Sequence, residues 1–154
     1  MLYRQAQVSD YEALHAVRMA VKENILVNTN LVTFDHYKDI LEEKGCGWVC
    51  ENESGEIIGF SMVDLALNNI WALFILPNYQ GQGIGRHLHQ LMLDWSFMHG
   101  AAKLWLTTDA GTRAENFYLK SGWQRKGLEP NGELRFEISK EIWLLNKTNK
   151  VKAF

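Results

Sequence analysis

Three glycines at alternate positions, Gly81, Gly83 and Gly85, stand in the stretch FILPNYQGQGIGRHL, after an apolar run that stops at Pro77. A strand, a glycine turn and a helix N-terminus bring free N–H groups and the positive end of the helix dipole to one point, so the pattern predicts an anion site. Side chains at the glycines would hold a phosphate off those N–H groups, and Arg86 adds positive charge in the first helical turn. Two common phosphate loops fail on spacing. A dinucleotide fingerprint needs glycines at its first, third and sixth positions, and counting from Gly81 or Gly83 puts Arg86 or Leu88 in the sixth. A nucleoside-triphosphate loop ends in Gly-Lys-Ser/Thr, where this chain has Gly85-Arg86-His87. A plain strand-to-helix turn is the remaining alternative, although such a turn needs one or two glycines rather than three in alternation.

The elements that position this loop follow from periodicity. LYRQA reads as a strand, and SDYEALHAVRMAV as a helix with Leu14, Val17 and Val21 on one stripe and Ser9 or Asp10 as cap. The asparagine-rich NILVNTNLVT, residues 24–33, breaks that pattern. Thr33 or Asp35 then caps a second helix, DHYKDILEEKG, which Gly45 ends. GWVCENESGEIIGFSMVDL has two β-rich runs about residues 52–55, a hairpin pattern, and NNIWALFILP is so apolar that it reads as a strand covered on both sides. Ile84, Leu88, Leu91, Met92 and Trp95 make one helical stripe that starts in the glycine loop. KLWLTT reads as another buried strand, AENFYLKSG as a short helix ended by Gly122, and GWQRKG and ELRFEI as a hairpin about residues 129–132. This order predicts an α/β fold with a mixed, partly antiparallel central sheet flanked by helices on both faces. We expect a single domain over residues 1–143 and a polar, frayed C-terminal tail over 144–154.

Composition narrows the function classes. With 154 residues, 47% apolar and six tryptophans, the chain can build a core without metals or disulfides. Sixteen basic against eighteen acidic side chains, a net charge of −2, and no basic stripe exclude nucleic acid as an expected partner. The N-terminus lacks the apolar core of a signal peptide and no apolar run reaches the ~18–20 residues that span a bilayer, so the expectation is a cytoplasmic protein without a membrane partner. Cys46 and Cys50 read as two inert thiols. His87 and His89 lie about 200° apart around a helix and cannot share a metal, so no metal is expected.

Gln80, Gly83 and Gly85, in the order Gln-x-x-Gly-x-Gly after a strand and Pro77, closely resemble the acetyl-CoA loop of the GNAT N-acetyltransferases. LYRQAQVSDYEAL resembles the family's opening strand and helix, and AENFYLKSGW its late A-x-x-x-Y-x-x-x-G-F motif; the likeness runs over residues 2–138. It implies a GNAT-like acyl-CoA N-acyltransferase fold with acetyl-CoA as co-substrate. It further implies that the backbone of Gln82, Gly83 and Gly85, with Gln80, Gly81, Ile84 and Arg86 beside them, holds the pyrophosphate of CoA. In the family the preceding strand bulges and hydrogen-bonds the pantetheine arm, which places Leu73, Phe74 and Ile75 beside the thioester, where a free N–H can hold the oxyanion.

The implied reaction is transfer of acetyl from acetyl-CoA to a primary amine of a small molecule or a protein by direct attack in a ternary complex. An amine of pKa near ~10.4 needs a base at pH 7, and a leaving thiolate whose conjugate acid lies near ~8.5 needs an acid. Tyr118 occupies the motif tyrosine, implied as that acid; Phe117 and Tyr118 as core aromatics are the alternative. Many relatives carry a glutamate on the strand before the loop or after the long helix; here neither strand has a carboxylate. Asp64 and Asp109 are the nearest substitutes, each equally a turn residue or cap, and a water chain is another route for the proton. Gly111 replaces a common asparagine, so Arg113 or Asn116 is expected to supply CoA contacts. The missing glutamate keeps a catalytically silent acyl-CoA-binding module open, and a purely structural domain stands third. The acceptor pocket is expected from residues 24–33, the turn 65–69 and the final hairpin, segments without an acidic cluster that would suit a polycation. Edge strands and exposed aromatics are compatible with a homodimer.

Overall fold

The computed structural model describes residues 1–21 and 32–152, with side chains through residue 149. Most of the segment 24–33 named above as a specificity loop therefore lies outside the described residues. The chain forms two compact units, Met1–Trp95 and Ser96–Phe154.

In the first unit, β1 (Leu2–Gln5), β2 (Gly45–Glu51), β3 (Ile57–Asp64) and β4 (Asn69–Ile75) pair antiparallel in sequence order. The β2–β3 hairpin closes where expected: Asn52 Oδ1 accepts from the N–H groups of Ser54 at 3.0 Å and Glu56 at 2.9 Å, an Asx turn that reverses the chain. Arg4 on β1 fastens this edge. Its guanidinium donates twice to Asp10 at 2.9 Å and once to Glu51 at 2.7 Å. Helix α1 (Tyr11–Val21) packs on β3 and β4, and α2 (Phe34–Asp39) continues as a π turn to Lys44. Between them and the sheet lies a core of Leu14, Val17, Tyr37, Ile40, Val49, Phe60, Met62 and Ala72. Thr33 is the α2 cap, as one of two expected candidates. The start of α1 differs: a 3-10 turn, Val8–Asp10, precedes it with Gln7 in the cap position, and Asp10 Oδ2 reaches back to accept from Gln7 N at 2.8 Å.

Two strand readings are corrected. β4 is covered less completely than its apolar sequence suggests: Ile70 and Ala72 are buried, while Trp71 and Leu73 to Ile75 are only partly buried. Its register against β3 pairs Met62 with Ala72 and Val63 with Ile70, leaving Trp71 as the extra residue of a bulge that bends the strand. In the second unit β5 (Lys103–Thr108) is likewise half-buried, with only Leu104 and Leu106 inside.

The long helix α3 (Ile84–Met98) runs across the unit boundary. Beyond it, β5 and β6 (Gln124–Leu128) each pair antiparallel with β7 (Leu134–Ser139), whose alternate residues Leu134, Phe136 and Ile138 point inward. Helix α4 (Arg113–Lys120) is capped by Thr112 Oγ1, which accepts from Glu115 N at 3.3 Å, and Gly122 follows its end with φ +94°.

The frayed tail is corrected over its described residues: α5 (Lys140–Lys152) continues through residues 144–152. Ser139 Oγ caps its start by accepting from Ile142 N at 3.2 Å, Trp143 is buried against Phe97 at 5.3 Å between centroids, and Asn146 donates to the Ser121 carbonyl at 3.3 Å. One buried tryptophan and two polar ties hold a helix whose sequence turns mostly polar after Leu145.

Candidate active site

The glycine loop lies in the first unit, between β4 and α3. Leu76 N donates to the Ile58 carbonyl at 2.9 Å, the last rung against β3, and a 3-10 turn, Pro77–Tyr79, redirects the chain. Tyr79 Oη accepts from Asn52 Nδ2 at 3.1 Å, which ties the turn to the β2–β3 hairpin. Gly81 and Gly83 then take φ of +79° and +83°, a region costly for residues with a Cβ. His87 N donates to the Gly83 carbonyl at 3.1 Å. That is the first i to i−4 bond, so the N–H groups of Ile84, Gly85 and Arg86 fall in the helical turn that has no intrahelical acceptor.

Gly85 decides between a turn and a ligand cradle. Its φ is not left-handed, and a Cβ built there would meet only Ile75 Cγ1 at 3.7 Å, ordinary contact. At Gly83 a Cβ would meet nothing within 4 Å. Neither conformation nor packing demands glycine at 85, where alanine would favour the helix by up to about 1 kcal/mol. Close approach of a group from outside the chain is the physical reason left, and free N–H groups with a helix N-terminus select an anion. Arg86, Gln82 and Gln80 are exposed around this point, while Ile84 is buried and anchors the helix. The loop therefore has the geometry of an anion cradle, open enough for a phosphate group to reach the backbone. Leu73, Phe74 and Ile75 lie upstream on β4, partly exposed, beyond the bulge at Trp71.

Beside that part of β4 lies a group that the sequence reading missed. Arg18 of α1 is only 9% exposed. Its guanidinium carbon sits 4.4 Å from the Trp71 ring centroid, 4.8 Å from Phe74 and 5.9 Å from Tyr37. Nε donates to Tyr37 Oη at 3.1 Å, and the same hydroxyl is hydrogen-bonded to His15 Nδ1 at 3.3 Å. Nη2 is buried with no hydrogen-bond partner among the described residues. Burial pulls the Arg18 pKa down, opposed by Tyr37, and burial followed by the Arg18 charge pulls His15 below its ordinary value. Tyr37 moves up because burial outweighs the nearby cation. Periodicity could have flagged Arg18 as a charge adjoining the Leu14 and Val17 stripe; its aromatic partners come from α2 and β4 and leave no local signal.

The other sequence candidates divide between the units. Asp64 ends β3, is buried, and its Oδ1 accepts from Leu67 N at 3.2 Å, so it closes the turn to β4. In the second unit, Asp109 is exposed and its carbonyl accepts from Thr112 Oγ1 at 2.8 Å, also a turn role. Arg113 and Asn116 are exposed on α4. Tyr118 is buried, its ring 5.2 Å from Phe117, 5.5 Å from Trp123 and 6.2 Å from Phe136. Burial raises its pKa well above 10.0, so it is a neutral phenol at pH 7, correctly charged to donate a proton and a weaker acid than free tyrosine. Both thiols, Cys46 and Cys50, are raised by burial, which keeps them protonated rather than nucleophilic. His87 stacks on Tyr3 at 3.8 Å. Among the described residues no group of three His, Cys, Asp or Glu side chains could hold a metal ion, and no helix is long and apolar enough to cross a membrane.

Comparison with known proteins bears on the fold and the family. The ribosomal-protein-alanine N-acetyltransferase of Brucella melitensis is 23% identical with a TM-score of 0.72, over 90% of this chain and 99% of that one. The PaiA N-acetyltransferase of Thermoplasma acidophilum, solved in complex with coenzyme A, is 16% identical with a TM-score of 0.68, over 90% and 98%. A mutant form of the spermidine N-acetyltransferase SpeG of Vibrio cholerae is 20% identical with a TM-score of 0.69, over 96% and 99%. No curated protein sequence gave a significant match. The structural likenesses show the fold of the acyl-CoA N-acyltransferases, in keeping with the mixed α/β class predicted from the element order and with the fold implied by the family resemblance. The model of the acetyltransferase (GNAT) family matches residues 12–123, which include the glycine loop and Tyr118, and the chain belongs to that family.

Proposed function

We propose that this protein transfers an acetyl group from acetyl-CoA to a primary amine by direct attack in a ternary complex. The observation that carries the donor half is Gly85, a helical glycine that neither φ nor packing requires, set among the free N–H groups that open α3. In this reading the backbone of Gln82, Gly83 and Gly85 binds the pyrophosphate and Arg86 adds its charge from the first turn. Leu73 to Ile75 line the pantetheine arm. Their strand is bent by the Trp71 bulge, and a freed N–H there steadies the developing oxyanion.

Tyr118 is the candidate acid for the departing thiolate, on the strength of its motif position and its neutral state. Asp64 and Asp109 both serve turns, which favours proton removal from the amine through water over either carboxylate. Two of the similar proteins are a ribosomal-protein-alanine and a spermidine N-acetyltransferase, whose acceptors differ in charge while each presents a primary amine.

Thiol release from acetyl-CoA against amines, amino acids, polyamines and peptides tests the reading. Amine-dependent release is the expected result. Stabilisation by acetyl-CoA without turnover on any amine would favour the silent binding module instead, and no stabilisation at millimolar acetyl-CoA would exclude both.

A further inference from the structure

We propose that Arg18 forms an anion subsite that takes a carboxylate carried by the acceptor in addition to its amine. The inference rests on the proposed function, because it places the acceptor next to the part of β4 that lines the thioester.

Arg18 is buried, and among the described residues it has no ion-pair partner: the ion pairs formed there involve Arg4, Lys103, Arg125 and Arg135. Its Nη2 is buried and unpartnered. A buried unsatisfied donor is costly, more so when charged, and such a group persists where another role retains it. The rest of the side chain is locked. Nε is committed to Tyr37, and the rings of Trp71 and Phe74 lie within 4.8 Å of the guanidinium carbon. The unpartnered donor is therefore held in a fixed direction among aromatic walls, where a charge-assisted hydrogen bond gains strength from exclusion of water.

Position separates donor from acceptor as the source of the anion. Trp71 and Phe74 belong to β4, and Phe74 is the middle of the three residues assigned to the thioester; the phosphate cradle begins seven residues later at Gly81. An anion at Arg18 thus belongs to the amine-bearing partner. Free amino acids and peptides whose C-terminal carboxylate lies close to the acceptor amine fit this chemistry. A polyamine does not, since its second charge would meet a buried cation.

The test uses matched acceptors with the wild-type protein: glycine and glycinamide, alanine and alaninamide, a dipeptide and its C-terminal amide, and spermidine. We expect kcat/KM for the carboxylates to exceed that for the amides by about tenfold or more, mainly through KM. Arg18→Gln should collapse that ratio toward one, and Arg18→Lys should retain part of it. Equal efficiency across every pair, or a preference for spermidine, would overturn the subsite while leaving the acetyltransferase reading intact. Should no amine turn over, the proposed function fails, and melting of wild-type protein with N-acetylalanine against N-acetylalaninamide decides the subsite separately. Stabilisation by the acid alone upholds it, whereas equal effects or none overturn it.

Discussion

Replacing Gly85 with alanine separates fold from ligand, because the two respond with opposite sign. The added Cβ finds Ile75 Cγ1 at 3.7 Å and clashes with nothing, and the residue is helical, so the free protein should gain up to about 1 kcal/mol from helix propensity. For a chain of this size that gain raises Tm by up to about 2–4 °C. The same methyl group stands where the diphosphate must approach the N–H groups. Acetyl-CoA at 100 times its Kd stabilises wild type by about 2.7 kcal/mol, and a tenfold weaker Kd at the same concentration leaves about 1.4 kcal/mol. Differential scanning fluorimetry with and without acetyl-CoA reads both effects in one plate. A variant with a higher Tm alone and a smaller ligand-induced shift is the expected result. An undiminished ligand shift would refute the reasoning that the glycine exists for close approach, and a lower Tm alone would show that packing requires it. Gly83→Ala is the contrast: φ of +83° makes it strained, and its Tm should fall without ligand, by an amount corresponding to about 1–2 kcal/mol.

Tyr118→Phe keeps the ring among Phe117, Trp123 and Phe136 and removes only the hydroxyl, so a general-acid role predicts a loss of about 10²-fold or more in kcat with acetyl-CoA binding retained; unchanged turnover would remove the role. Leu14→Ala empties a fully buried site between α1 and the sheet and should cost about 2–5 kcal/mol in chemical denaturation. Asp10 is held below its ordinary 3.8 chiefly by its hydrogen bond to Arg4. Its contribution is complete above the unfolded value and lost as pH falls through the depressed folded value, so Asp10→Asn should flatten the acid limb of the stability curve measured by melting between about pH 6 and 2.

Local signals carried much of this structure into the sequence. The alternating glycines, the stop at Pro77 and the stripe from Ile84 act within a few residues of one another, so loop, strand and helix start were all legible. Asn52 and Gly122 marked their turns for the same reason, through side-chain acceptance in one case and a φ of +94° in the other. Long-range packing was silent. Helix α5 is polar by composition and is held by the burial of Trp143 against Phe97, 46 positions earlier, which no window across residues 144–154 contains. Arg18 is the sharper case: its surroundings assemble from Tyr37, Trp71 and Phe74 on two other elements. Apolarity alone also overstated the burial of β4, because composition says what a strand is able to bury and not whether a neighbour covers it. The absent glutamate was legible, whereas the turn bonds at Asp64 and Asp109, its nearest substitutes, depend on partners at Leu67 and Thr112 that residue type alone does not specify.

The central claim is that one acetyl group passes from acetyl-CoA to an amine on this protein. Mass spectrometry of the acceptor, run beside thiol titration in the same reaction, measures it directly. One acetylated amine for each CoA thiol released, with both products absent when either substrate is omitted, is the result predicted. Stabilisation by acetyl-CoA with no acetylated amine from any acceptor class would contradict it and leave a binding module in place of an enzyme.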